Sequence, residues 1–163
     1  MIHGQVQRKE NKVYSGNALN DIVVTRSGFS RIISVSIFVN KGLVNRYRGD
    51  GVIISTATGS TGYNLSSGGP VVKPNSQVII ITPISPHTLN SRSIVINGDD
   101  QILVKIDKSK KTQEEEAIAT FDGKEAILLH MEDIIEINRA RVGTRLVKIG
   151  NSNFFEVLRT KIG

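Results

Sequence analysis

The chain has 163 residues, 39% of them hydrophobic, with no cysteine and a formal net charge of +6. That length suits one domain with a sizeable buried core, and no apolar run approaches the roughly 18 residues a membrane-crossing helix needs. The lack of cysteine excludes disulfides and thiolate metal sites and fits a reducing cytoplasm, while the positive charge favours anionic partners, phosphates and nucleic acids included.

In chain order, the opening "MIHGQVQRKENK" has no apolar centre, so it does not read as a signal peptide. The polar cluster "NALND" at 17–21 follows, holding Asn20 and Asp21. Strand signals then run through "IISVSIFV" (32–39), "GVIIS" (51–55), "QVIIIT" (77–82) and "SIVI" (93–96). They continue in "QILVKID" (101–107), "EAIATF" (116–121), "EAILL" (125–129) and "DIIEINRA" (133–140). Turn signals separate them: "NKG" at 40–42, "KPNS" at 73–76, "NGDD" at 97–100 and "FDGK" at 121–124. Short strands at this spacing predict a mostly β chain, an antiparallel sandwich or multi-sheet domain rather than βαβ units. Two helices break the pattern. "GSTGYNLSS" predicts a short one with a Ser or Thr cap. The tail "NSNFFEVLRTKIG" predicts another, with an Asn or Ser cap, an apolar stripe at Phe154, Phe155, Leu158 and Ile162, and cations in its last turn. That stripe needs a surface to pack on, in this domain or on a partner.

Generic site signatures are missing. His3, His87 and His130 are scattered without metal-ligand spacing, and His87, just after Pro83 and Pro86 in "TPISPHTL", reads as structural or rim-lining. No G-x-S-x-G elbow, P-loop or G-x-G-x-x-G run occurs. "DKSKKTQEEEA" at 107–117 reads as a solvated hairpin tip. A nucleic-acid-binding β domain would suit the charge, but aromatics are only 5% and none of the strands predicted above interleaves basic with aromatic residues in the manner of a stacking platform.

What remains is "GDGVIISTATGSTGYNLSSGGP" at 49–70. Read physically, "TATGSTGY" offers backbone N–H groups and hydroxyls that suit ribose hydroxyls or phosphates. Gly59 and Gly62 permit close backbone approach, and Tyr63 offers a flat face for a ring. Asp50 and Asp21 are carboxylates able to accept bonds from ribose hydroxyls or an amino group. A capped structural turn accounts for the same residues, so physics alone leaves both readings open.

Three segments then carry a resemblance: "ALNDIVV", "DGVIISTATGSTGYNLSSGGPVVKP" and "ITPISPHTLNSRSIVI", with "TFDGKEAIL" and the helical tail beyond them. In this order and spacing the chain resembles the C-terminal domain of NAD kinase. Ala57 stands where that family usually has Pro, Gly62 where Ala is common, and Lys124 where many members carry Gln. The resemblance implies phosphorylation of the 2′-hydroxyl of NAD's adenosine ribose by ATP, giving NADP, with a divalent metal such as Mg²⁺. It implies that Asn20 and Asp21 hold the adenosine end, with Asp50, Thr61, Gly62, Tyr63, Asn64, Leu65, Ser66 and Lys124 in the NAD site. Arg31 and Arg48 fall on two further substrate positions, where a guanidinium would donate paired bonds to phosphate. Dimers or tetramers are implied, neighbouring subunits completing the site, with no membrane or nucleic-acid partner and a cytoplasmic location.

The family's catalytic Asp lies in a Gly-Gly-Asp-Gly-Thr motif on a separate N-terminal α/β domain, and no such run occurs in these residues. The chain is therefore expected to be a truncated piece, inactive alone. Residues 1–150 would form the NAD-binding and oligomerisation domain, and 151–163 a tail that packs on the absent one. A sphingoid or lipid kinase domain shares the broad two-domain plan and is the alternative, with a purely structural oligomerisation module behind it.

Overall fold

The computed structural model describes residues 1–28, 32–88, 91–108, 117–147, 150 and 153–162. Among them, twelve strands follow in chain order. They are β1 (Ile2–Arg8), β2 (Asn11–Ala18), β3 (Asp21–Arg26), β4 (Ile33–Val39), β5 (Gly42–Gly49) and β6 (Gly51–Thr56). Then come β7 (Val78–Ile84), β8 (Ile94–Asn97), β9 (Ile102–Ile106), β10 (Ala117–Phe121), β11 (Glu125–Leu129) and β12 (Ile134–Arg139). They build two six-stranded antiparallel sheets: β2-β1-β12-β9-β4-β5 and β11-β10-β3-β6-β7-β8.

The sheets face each other across one core. From the first sheet Val6, Val35, Ile37, Ile102, Val104, Ile106, Ile135 and Ile137 point inward, every second residue along each strand. Ile22, Val24, Val52, Ile54, Ile79, Ile81, Ala119 and Phe121 meet them from the second. Each such Val, Ile or Phe side chain contributes roughly 1.5–3 kcal/mol when fully buried. The mostly β, multi-sheet expectation holds.

Four strands escape the periodicity reading. β1 buries Ile2 and Val6 but puts Gly4 between them, because a Cβ there would press on Ile22 and Phe121. It turns into β2 through Lys9 and Glu10, both at positive φ (47° and 69°), a pair with no Asn-Gly signature. β3 buries Asp21 through Val24 on consecutive positions, so alternation is lost. β5 is an edge strand that buries Tyr47 and Gly49 but exposes Leu43 and Val44. The acidic and basic tip predicted at 107–117 lies mostly outside the described residues.

The second sheet is also covered on its outer side. Val23, Ile53 and Ile84 form a small separate cluster there, and the segment after β6 crosses over it as a 3₁₀ turn (Thr58–Thr61) and the four-residue helix α1 (Tyr63–Ser66). Asn64 pins this crossover. Fully buried, it donates to the carbonyls of Ser60 (2.9 Å) and Pro70 (3.1 Å) and accepts from the Thr82 hydroxyl on β7 (2.7 Å).

The expected Ser or Thr cap on α1 is not found. Gly62 precedes the helix and no side chain caps it. The hydroxyls serve elsewhere: Ser60 donates to the Val72 carbonyl and accepts its N–H, both at 3.0 Å, fastening the two ends of the crossover. The C-terminal helix α2 (Phe154–Ile162) does have its Asn cap. Asn153 accepts the Glu156 N–H (3.0 Å) and Glu156 accepts the Asn153 N–H (2.8 Å), a reciprocal capping box. Of the predicted stripe, Phe155 is 66% exposed while Phe154 and Leu158 are partly buried, and Val157 is exposed on another side of the helix.

Candidate functional site

A groove of about 490 Å³ opens on the outer face of the second sheet, beside the crossover. Its floor is β3 and β10: Asp21, Val23 and Thr25 alternate along β3, and Thr120 pairs with Val23 from β10. One wall is Gly62 and Tyr63, and the other is Asp122 and Gly123 on the β10–β11 turn, with Asn20 at the end. Residues roughly 100 positions apart thus share one cleft because the order β10-β3-β6 sets the strands that carry them side by side.

The turn and the loop before β3 are locked together. The Asp122 carboxylate accepts the backbone N–H groups of Leu19 (2.8 Å), Asn20 (2.7 Å) and Asp21 (3.2 Å). From the other side, Thr56 donates its hydroxyl to the Leu19 carbonyl (2.7 Å) and its N–H to the Asn20 carbonyl (2.8 Å). The same hydroxyl accepts the Gly59 N–H (3.1 Å), which ties the 3₁₀ turn to the loop. Gly59 rests so closely on Asn20 that a Cβ would collide with the Asn20 carbonyl oxygen.

Asp21 is the unusual group in this cleft. It is buried, 7% exposed, and its carboxyl accepts no hydrogen bond from the described residues. Burial first, and then the nearby charge of Asp122, push its pKa above the ordinary carboxylate range. A carboxylate so placed is an open acceptor inside a pocket. Among the described residues no cation lines the groove; the Asp21 carboxylate suits donors such as hydroxyl and amino groups, and the half-exposed Tyr63 ring at the rim offers a face for a planar group.

The structure brings Asn20, Asp21, Gly62 and Tyr63 together, with Thr61 exposed at the end of the 3₁₀ turn next to them. Ser66 is exposed on α1 and Leu65 partly buried. Asn64 lies beneath the groove with both its donors consumed internally. Lys124 is exposed at the end of the β10–β11 turn, whereas Asp122 and Gly123 form the wall. Asp50 sits at the opposite end of β3, its carboxylate 2.7 Å from the Arg26 Nε, both side chains about one-third exposed. Arg48 does not reach the groove: it alternates with Tyr47 and shares the outer face of the first sheet with Arg46 and Ser34. Arg31 lies outside the described residues. The inward Asp122 carboxylate, Thr25 and Thr120 were missed. Their only sequence signal is position, two on alternating strand faces and one on a turn.

Solved structures of dinucleotide kinases share this fold. The chain is similar to yeast NADH kinase complexed with NADH (TM-score 0.76, 30% identity, 84% of this chain and 39% of that one). It is also similar to an NAD kinase from Archaeoglobus fulgidus in complex with ATP (TM-score 0.67, 29% identity, 86% and 52%). The family model for the ATP-NAD kinase C-terminal domain matches residues 19–149. The NAD kinase of Lachnoclostridium phytofermentans is 58% identical over 147 residues, 90% of this chain and 52% of the relative. That of Thermoanaerobacter sp. strain X514 is 44% identical over 162 residues, 99% and 56%. The chain belongs to the NAD kinase family, whose C-terminal domain it carries. It spans about half the length of the curated relatives it matches.

Proposed function

We propose that these 163 residues are the dinucleotide-binding part of an enzyme that transfers a phosphoryl group from ATP to the 2′-hydroxyl of NAD's adenosine ribose, giving NADP. The observation that carries this reading is the convergence of "NALND", "TGSTGY" and the Asp122–Gly123 turn on one groove, in a chain of this family. Its Asp21 carboxylate, which accepts no hydrogen bond from the described residues, and the Asn20 side chain take the hydroxyl and amino donors of adenosine, and Tyr63 lies against a ring.

Arg48 and Asp50 belong, on this reading, to a neighbouring subunit's site in a homo-oligomer. The placement of Arg48 on the other sheet's outer face and of Asp50 at the far end of β3 supports that assignment. On this reading Mg²⁺ belongs with the ATP phosphates, the usual way Mg²⁺ is held. Phosphoryl transfer rests on positioning and charge stabilisation, and the Gly-Gly-Asp-Gly-Thr residues that the family uses are not in these 163. The α2 face that exposes Phe155 packs on the domain that carries them, and the enzyme works in the cytoplasm.

Calorimetric titration of NAD and NADP into this chain tests the reading. Saturable binding at one site per chain is expected, with no NADP formed when ATP and Mg²⁺ are added. A folded chain that binds neither dinucleotide refutes it.

A further inference from the structure

We infer that Asp122 and Thr56 are positioning residues for the dinucleotide site, gripping the Leu19–Asp21 loop by its donors and its acceptors so that Asn20 and Asp21 face the groove. The inference rests on the dinucleotide reading and adds two residues that act through the loop they hold. Three consecutive N–H groups converge on the Asp122 carboxylate at 2.7–3.2 Å. On the opposite side of the loop, the two carbonyls of Leu19 and Asn20 go to the Thr56 hydroxyl and N–H. All the backbone polarity of this short loop is thereby spent inside the protein. Its side chains alone remain for the groove.

The grip also has an electrical side. Asp122 brings a second negative charge beside Asp21, which is already costly to ionise because it is buried. Among the described residues, the other titratable groups on elements around Asp21 are Arg26 at the far end of β3, Lys124 on the turn, Glu125 at the start of β11 and Tyr63 on α1, while β6 presents the neutral Ser55 and Thr56 beside it. A ligand that donates to Asp21 binds its ionised form, so affinity rises with pH as Asp21 loses its proton. Asp122 sets where on the pH axis that rise falls.

The turn tolerates a test substitution well. Asp122 has φ of +50°, a left-handed conformation that Asn adopts as readily as Asp. Asp122→Asn keeps the shape and one acceptor oxygen but removes the charge and the bond to Leu19. NAD titrations into the 163-residue parent and variant chains across the acid-to-neutral range are the experiment. The variant is expected to bind about tenfold more weakly at neutral pH, the size of losing a charge-assisted hydrogen bond, and the midpoint of its pH profile is expected to move to lower pH. A role confined to holding the hairpin together would leave that midpoint in place.

Thr56 supplies an independent arm should Asp122→Asn not fold. Thr56→Val removes the hydroxyl and is expected to weaken NAD binding, and Thr56→Ser is expected to restore it. Parent and variants binding alike, with the same pH midpoint, overturn the inference while leaving the dinucleotide reading intact. A folded parent that binds no NAD overturns both.

Discussion

Asn64 offers the sharpest separation between a residue that contacts ligand and one that builds the wall. In the structure its amide spans from the crossover to β7, making hydrogen bonds to Ser60, Pro70 and Thr82 while fully buried. Asn64→Ala leaves two carbonyls without these donors and opens a small cavity; Thr82 keeps its bond to Ser93 (2.9 Å). Three buried bonds at a net of about 1 kcal/mol each give a loss near 3 kcal/mol. In a domain of this size about 1 kcal/mol moves the melting temperature by roughly 2–4 °C, so the expected drop is about 6–12 °C. Because α1 carries Tyr63, NAD affinity should fall as well, as a consequence of the loosened wall. Thermal unfolding by circular dichroism, set beside NAD titration well below the melting temperature, reads both quantities. A variant that keeps the parent melting temperature yet loses NAD binding would show that Asn64 meets the ligand directly and that the strut account is wrong.

Three further outcomes are expected. Gly59→Ala drives a methyl into the Asn20 carbonyl and should reduce NAD affinity at least about tenfold, the effect of misplacing one strong contact; parent-like affinity would show that the loop yields freely. Asp21→Asn should stabilise the ligand-free chain at neutral pH while weakening NAD binding. The sign follows from a carboxyl whose folded pKa is raised: its contribution is fully present below the unfolded value of about 3.9 and is lost as pH rises through the folded one. Urea midpoints for the two chains should therefore diverge as pH rises, and parallel curves would contradict the burial cost. Phe155→Ser, at a side chain already 66% exposed, should change the chain's stability by less than about 0.5 kcal/mol yet abolish docking of a separately produced upstream domain in a pull-down assay.

The strands that could be read from the sequence are those whose inward face is lined by β-branched residues bounded by turn signals, as in β4, β6 and β7. β1 was hidden by Gly4, which is small because Ile22 and Phe121 from the opposite sheet fill its space. β3 was hidden because both its faces are covered, the inner by the core and the outer beside the groove. Neither fact exists until the sheets are assembled. The site divides in the same way. Asn20, Asp21, Gly62 and Tyr63 stand out as motif residues, and they do meet at the groove. The Ser and Thr burst misleads by composition: Ser60 and Thr56 spend their hydroxyls on the crossover and the loop. Asp122 gives no warning either, since an Asp-Gly pair on a hairpin is fully accounted for by turn geometry.

The strand order also sets a timetable. β1 pairs with β12, Ile2 opposite Arg139, and the Asn20 amide waits for a carboxylate 102 residues further on. At synthesis rates of about 5–20 residues per second, that separation amounts to roughly 5–20 s on the ribosome. During that interval β3 and β6 exist without β10, and the acceptor-lined cleft has no second wall. On the proposed reading the groove can hold its ligand only after the Asp122 turn has been made, and contacts this distant in sequence place the chain among the slower folders.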